Sequence, residues 1–352
     1  RRLKFFSTVR GTCAPSLSVT TARCLSGHAT NSTAGDTVLA VPHKYIAAAV
    51  STKPHPDKIA TGGEDAWIST GDLFGVADGV GSWKDLGVDA GEYSKELLRL
   101  CAADVSRGII DPLGLLTRAW SRTQELGLPG STTALVAHVG PDLQLKGFNI
   151  GDCRLLVLRA TGATTAIQTA YLTAIGQHSF NHPMQIGLLP ASQTPPSDGT
   201  AFEVQLEEND LVIVASDGLW DNVFLREVLA AVHTTRGRVR APALTTELAE
   251  CLSALAVERA RQPFAFVPYT RAGLLSMVQL PSFWGGLVSL FAISQLHMYD
   301  PSGSFTVLFE TLAVVGCMSV ALRILSSYFG GKPDDTTVLV AHVLPRTTRA
   351  AE

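Results

Sequence analysis

Short apolar runs in this chain repeatedly stop or start on acidic turns. Phe74-Gly75-Val76-Ala77 enters Asp78-Gly79, and the run from Leu211 enters Ser216-Asp217-Gly218. Gly330-Gly331-Lys332-Pro333-Asp334-Asp335 leads directly into the β-rich run Thr336–Val343. Gly63-Glu64-Asp65-Ala66 lies just upstream of the first run. Asp and Gly are common turn residues, so one such block alone more often closes a hairpin than binds anything. The recurrence in segments mostly far apart in sequence is what constrains the fold. If the runs are neighbouring strands, their ends bring carboxylates to one rim, and hard oxygen ligands gathered in that way suit magnesium or manganese.

The rest of the pattern supports such a sheet. A helix is predicted from about Asp89, with Leu97, Leu98, Cys101 and Val105 at helical spacing and Gly108 to end it. Asp111-Pro112 reads as an N-cap followed by proline at the first helical position, opening a second helix that runs to about Gly127. Thr132–Val139, Leu143–Ile150 and Cys153–Arg159 read as strands, and 177–200, rich in Pro, Ser and Gly, as a long loop. Phe202–Leu206 and Leu211–Ser216 are expected to form a strand pair, followed by helices over about 224–233 and 243–261. Antiparallel hairpins with segregated helices place the chain in the α+β class with packed sheets, not a doubly wound parallel sheet.

Of the 352 residues, 46% are hydrophobic, enough for a sizeable core, and the formal charge is −3. Neither a global basic field nor a basic stripe is present, so nucleic acid is not an expected partner. The six cysteines are irregularly spaced with no CxxC pair, which fits reduced thiols in an intracellular compartment. The first residue is arginine, so further sequence upstream is expected. The opening stretch holds Arg1, Arg2, Lys4, Arg10 and Arg23 and no acid before Asp36. That is organelle-transit composition, with Arg23-Cys24-Leu25-Ser26 as a processing site. Residues 1–36 are therefore expected to be a transit or disordered segment, with the mitochondrial matrix ahead of a plastid. A folded domain is expected over 37–346, with a short tail over 347–352.

One region disagrees with that pattern. Ala272–Tyr299 contains no charged side chain, and Phe305–Leu325 has only Glu310 and Arg323. Length permits two membrane spans, although a charge at mid-span costs roughly 2.5–3.5 kcal/mol and Pro281 would kink the first. Three readings stand: a hydrophobic insertion interrupting the domain at about 267–327, a membrane hairpin, or extra globular core.

The acidic blocks suggest a specific chemistry. Two divalent ions about 3.5–4 Å apart need a bridging carboxylate with others on either side, lower the pKa of a shared water, and orient a phosphoryl group for in-line attack. In order, the motifs are Gly63-Glu64-Asp65-Ala66, Val76-Ala77-Asp78-Gly79-Val80-Gly81, Gly130-Ser131-Thr132-Thr133-Ala134, Asn149-Ile150-Gly151-Asp152-Cys153-Arg154, Ser216-Asp217-Gly218-Leu219-Trp220-Asp221-Asn222 and Lys332-Pro333-Asp334-Asp335-Thr336-Thr337-Val338. This ordered set resembles the metal-dependent protein serine/threonine phosphatases of the protein phosphatase 2C type. Asp78-Gly79-Val80-Gly81-Ser82-Trp83, followed by Gly87–Tyr93, is similar to their organelle-associated subfamily. The resemblance implies two packed antiparallel sheets flanked by helix pairs, phosphorylated proteins as substrates, and two magnesium or manganese ions. It implies that Asp78 bridges both ions and that the Gly79 carbonyl coordinates one. Glu64 would hold the second ion, partly through water, and Asp217 and Asp334 the first. Asp152 would match an acidic residue at a third metal position, with Asp65 and Asp335 as supporting residues.

The chain departs from the family pattern at two positions. Val80 stands where many members carry a histidine proposed to protonate the leaving alkoxide, and Ala60 stands where a phosphate-binding arginine is common. Lys58 is the nearby cation that could meet phosphate as a point charge. Other signals read as structural. Cys101 and Arg107 have cysteine-phosphatase spacing but no glycine-rich loop between them, and fit a helix instead. His178 and His182 fall in the expected loop, His138 in a strand, and Ser216 lacks a nucleophile elbow. Trp83 and Trp220 are expected to pack beside the site turns. A small-molecule phosphohydrolase and an inactive phosphatase-like binding module are the rival functions.

Overall fold

Successive residues of the central strands serve different layers. Along β5 (Leu73–Gly79), Phe74 and Val76 enter a core between two sheets, while Leu73 and Ala77 pack outward against helices. β14 (Leu211–Ala215) alternates in the same way, with Val212 and Val214 inward and Leu211 and Ile213 outward. Strands buried on both faces read as continuous apolar runs, which is why these two stand out in the sequence.

The computed structural model describes residues 29–30, 37–42, 46–108, 110–161, 166–188, 195–239, 243–278 and 330–345. One sheet runs β1 (Ala29–Thr30), β4 (Asp65–Ser69), β5, β6 (Ser131–Val139), β7 (Gln144–Ile150), β13 (Thr200–Gln205), with β12 (Ile186–Gly187) also paired to β6. The second runs β2 (Thr37–Pro42), β3 (Ile46–Lys53), β15 (Thr336–Val343), β14, β8 (Arg154–Thr161), β9 (Ala166–Leu172). β10 (Gln177–Ser179) and β11 (His182–Pro183) form a small separate hairpin. Neighbouring strands are antiparallel throughout. Helices α1 (Ala90–Val105) and α2 (Pro112–Glu125) cover the first sheet through Leu97, Leu98, Leu115 and Leu116. The short helix α3 (Asp217–Trp220) follows β14 directly. Helices α4 (Leu225–Arg238) and α5 (Ala243–Ala260) cover the second sheet through Val228, Val232, Leu248 and Leu252. This is the expected α+β architecture of two packed antiparallel sheets flanked by helix pairs.

Local signals explain both helix starts on the first sheet. The Asp89 carboxylate accepts from Gly91 N at 2.9 Å and that of Asp111 from Gly114 N at 2.7 Å, each satisfying an otherwise orphaned amide. The expected pairing of Phe202–Leu206 with Leu211–Ser216 is not found. β13 pairs with β7, whereas β14 lies between β15 and β8. Phe202 and Val214 both fill the inter-sheet core, so the short link crosses from one sheet to the other instead of folding back. The expected loop over 177–200 contains β10, β11 and β12, the last anchored by fully buried Ile186. The sequence pattern also gives no strand signal for β9, an edge strand too exposed and polar to show alternation.

Helix α6 (Pro268–Val278) occupies the start of the expected insertion. Val267 and Thr270 are buried. Thr270 Oγ1 donates to Gly330 O at 3.2 Å, and Tyr269 N donates to Asp221 O at 2.9 Å. This part of the segment therefore belongs to the folded domain, while 279–327 lies outside the described residues. The expected transit segment, apart from Ala29–Thr30, and the tail over 347–352 also lie outside them. Among the described residues no helix is long and apolar enough to cross a membrane.

At the far end of β15, His342 is 6% exposed and its two ring nitrogens make no hydrogen bond. Burial, and then the Arg236 cation, push its pKa down from 6.5 to about 4. The folded state thus favours the neutral ring. Its contribution is intact above the unfolded pKa and is lost as pH falls from there towards the folded value, at roughly 1.4 kcal/mol per pH unit. Between pH 6.5 and 5 that amounts to about 2 kcal/mol. His342→Leu is expected to narrow the gap between urea midpoints measured at pH 7 and pH 5. An unchanged gap would mean that the ring does not titrate in this way.

Candidate metal centre

Strand register starts the site. β4 and β5 pair with Asp65 opposite Asp78, and Asp78 in turn lies opposite Thr133 of β6. Directly opposed residues share a face. Ser216, at the end of β14 in the other sheet, donates from Oγ to Asp65 Oδ2 at 2.8 Å and accepts from Thr337 N at 3.0 Å. That stitch places the Asp217 turn on the same rim. Asn222 then clamps the approach to β15. Its Nδ2 donates to Gly218 O at 3.0 Å and Lys332 O at 2.8 Å, and its Oδ1 accepts from Lys332 N at 2.8 Å. The Asp335 carboxylate accepts from His55 N at 2.6 Å and Glu64 N at 2.7 Å, tying the Glu64 turn to the start of β15.

These constraints bring the sequence-predicted residues Lys58, Glu64, Asp78, Gly79, Asp152, Asp217 and Asp334 onto one cavity of about 270 Å³, together with Val80, Asn181 and Lys332. A cavity of about 320 Å³, lined by Arg154, Trp220, Phe224 and Leu275 among others, contains no carboxylate in its lining. The acidic chemistry belongs to the first.

Charge is heavily concentrated there. Lys332 Nζ donates to Asp217 Oδ2 and, at 2.9 Å, to Asp221 Oδ2, and stands 3.5 Å from Asp334 Oδ2. Lys58 Nζ donates to Glu64 Oε2 and, at 3.3 Å, to Asp335 Oδ2, and stands 3.7 Å from Asp334 Oδ1. Among the described residues no three acidic, histidine or cysteine side chains already stand as a closed metal cage; the two ammonium groups lie between the carboxylates. Burial, then the charges of Asp217, Asp65, Asp334 and Asp152, raise the Asp78 pKa well above the carboxylate range. Burial and Asp217 push Asp152 up to about 8 and Asp334 to about 7. Burial most strongly opposes ionisation of Asp217, but the charge and hydrogen bond of Lys332, with Asp78 and Lys58, together hold that carboxyl below its ordinary value.

The donor set fits hard divalent cations. Asp217 Oδ1 and Asp152 Oδ1 are buried without a hydrogen-bond partner. Carboxylates that repel one another and keep buried oxygens uncommitted are suited to a multivalent cation, which would relieve both conditions.

No protein-family model matches the chain. It is 36% identical over 253 residues to probable protein phosphatase 2C 71 of Oryza sativa subsp. japonica, covering 70% of this chain and 50% of that protein. It is likewise 36% identical over 225 residues to probable protein phosphatase 2C 55 of Arabidopsis thaliana, covering 62% and 45%. The chain belongs to the protein phosphatase 2C family. It spans about half the length of the curated relatives it matches. Among solved structures, the photosystem II phosphatase PBCP is similar with a TM-score of 0.64 and 26% identity, covering 85% of this chain and 98% of that one.

In this 2C-family chain, Asp221, Asn222 and Lys332 are the residues that sequence reasoning left without roles. All three lie inside quoted motifs. Their clamp and ion pairs depend on two segments about 110 residues apart meeting, and no local pattern reports that. The discounted residues take structural places. Cys101 is buried in α1, where burial pushes its thiol up to about 12. Trp220 Nε1 donates to Ala215 O at 3.0 Å and Trp83 Nε1 to Ser131 Oγ at 2.7 Å. His178 and His182 sit on the small hairpin with ring centroids 5.6 Å apart.

Proposed function

We propose that this chain is a magnesium- or manganese-dependent protein serine/threonine phosphatase. The observation that carries the reading is that carboxylates from distant segments line one cavity and retain buried, uncommitted oxygens. Asp78 would bridge two cations, with the Gly79 carbonyl on one of them. Asp217 and Asp334 would hold the first ion, Glu64 the second, and Asp152 a third. Bound divalent cations would supply Lewis acidity, activating water and neutralising the phosphoryl group. The chain's own residues position that chemistry. Asp335 fixes the Glu64 backbone, Ser216 ties the two sheets at Asp65, and Asn222 seats the approach to Asp334. Lys58 lines the cavity and would meet substrate phosphate as a point charge. Val80 offers no acid at the position where many family members carry histidine.

Phosphorylated proteins are the proposed substrates, in accord with the names of the relatives. An organelle location is also proposed, the mitochondrial matrix first and a plastid second. Its support is the acid-free, Arg- and Ser-rich opening stretch and the Asp78–Trp83 motif form. A fluorescent fusion of the full chain reads it directly, and a diffuse cytosolic signal would overturn it.

The activity is tested by comparing phosphoserine and phosphothreonine peptides with small phosphate esters in saturating manganese. The expected kcat/KM is at least about tenfold higher on the peptides, a difference of roughly 1.4 kcal/mol in transition-state binding. Equal or faster hydrolysis of the small esters would reassign the substrate class. No turnover of either would leave an inactive binding module.

A further inference from the structure

Resting on the reading of this cavity as a metal centre, we propose that Lys332 is an internal counter-cation. Its ammonium group holds Asp217, Asp221 and Asp334 together until a divalent cation displaces it, so that Lys332 sets the metal affinity of the site.

Three observations carry this. First, one ammonium group engages three carboxylates: Asp217 Oδ2, Asp221 Oδ2 at 2.9 Å and Asp334 Oδ2 at 3.5 Å. Two of these are proposed metal ligands, so Lys332 and a cation compete for the same oxygens. Second, one positive charge is too little for that cluster, and Asp217 Oδ1 remains buried and unbonded. A divalent ion offers more charge and more coordination sites than an ammonium group with three donors. Third, the backbone of Lys332 is fixed while its stem is not. Its N and O are both bonded to the Asn222 amide, but four methylenes let the ammonium swing. The Tyr269 ring, with its centroid 5.6 Å from Nζ, provides an aromatic face beside that arc. Lys58 makes its hydrogen bonds elsewhere, with Glu64 and Asp335, and shares Asp334 with Lys332 at 3.7 Å, whereas Asp217 and Asp221 pair with Lys332, so the two lysines are separable by mutation.

The test uses the full chain stripped of metal by chelator and then dialysed, as wild type, Lys332→Met and Lys332→Arg. Manganese binding is measured by calorimetry, and melting temperature with and without manganese. In Lys332→Met the metal-free melting temperature is expected to fall, because three carboxylates lose their cation. Manganese affinity is expected to rise by about tenfold, within the range seen when residues around metal ligands are changed, and the manganese-induced rise in melting temperature should grow. Lys332→Arg keeps the charge and should remain near wild type on all three measures. If Lys332→Met does not fold without metal, refolding against a manganese series replaces the titration. Folding restored at concentrations near the wild-type dissociation constant or below supports the proposal, and no folding at any concentration overturns it. Manganese affinity in Lys332→Met equal to or weaker than wild type also overturns it, the outcome expected if Lys332 instead binds phosphate. Failure of the wild type to bind manganese would sink the metal-centre reading itself. Manganese binding without phosphopeptide turnover would sink only the proposed activity.

Discussion

Asp78→Asn is expected to lower kcat on a phosphopeptide by about a hundredfold or more in saturating manganese, the scale of losing one principal electrostatic contact in an active site. Excess chelator is expected to abolish wild-type turnover. Asp78 is the residue on which the cluster converges, since Asp217, Asp65, Asp334 and Asp152 all act on its carboxyl. Asparagine keeps the shape and removes the charge. It also presents an amide N–H₂ to a cluster of acceptors, among them the unbonded Asp217 Oδ1. The metal-free variant should therefore melt at or above the wild-type temperature while losing activity, the trade expected when a site holds mutually repelling groups. Unchanged turnover would move the reaction away from this cavity. Lost turnover with a collapsed melting temperature would mean only that the fold had failed.

Gly218→Ala is expected to be the most damaging of the single-methyl changes near the site. A Cβ there would stand 2.0 Å from Asp335 O, 2.7 Å from Thr336 Oγ1 and 3.0 Å from Asp335 C. Backbone cannot rotate away as a side chain can, and both partners are held, Asp335 by its carboxylate bonds and Thr336 by the sheet. Overpacking ordinarily costs about 1–3 kcal/mol, and backbone against backbone belongs at about 3 kcal/mol or above. Relief would separate the Asp217 turn from the start of β15 and drive the cavity's carboxylates apart. Urea midpoint and manganese affinity should both fall. Gly237→Ala, in α4 with nothing within 4 Å of the added carbon, is the control and should be neutral or slightly stabilising. Equal midpoints for the two variants would show that the segments are less tightly joined than this packing requires.

Much of this arrangement is legible in the sequence. Strands buried on both faces, such as Leu73–Gly79 and Leu211–Ala215, leave continuous apolar runs, and Asp89 and Asp111 carry explicit helix-start chemistry. Ile46–Lys53 was not legible. Its Ala47-Ala48-Ala49 run suits a helix better than a strand, and it is a strand because β2 and β15 pair on either side of it. The partners of Phe202 and Val214 were also hidden, because a short link between two apolar runs suits either a hairpin or a crossing between sheets. At the candidate site, the acidic blocks pointed to Asp78, Asp217 and Asp334, which line one cavity. Lys58 is suggested as a phosphate contact by its place near Glu64, but Lys332 is not evident, because a lysine beside a turn usually points into solvent, and only the meeting of distant segments gives Lys332 three acidic neighbours.

The backbone bonds from Gly330 to Ala265 at 3.3 Å and from Gly331 to Gln262 at 2.9 Å carry a consequence for how such a chain can diversify. They form a stem: the polypeptide departs beside α5 and returns to the same spot before β15. With the mouth already fastened, lengthening the intervening stretch adds only a logarithmic entropy term, so evolution or an engineer can splice in cargo there without disturbing strand order. Whatever is grafted at that stem starts a few residues from Asp221 and Lys332, which makes the position a direct route for wiring an external signal to the acidic rim.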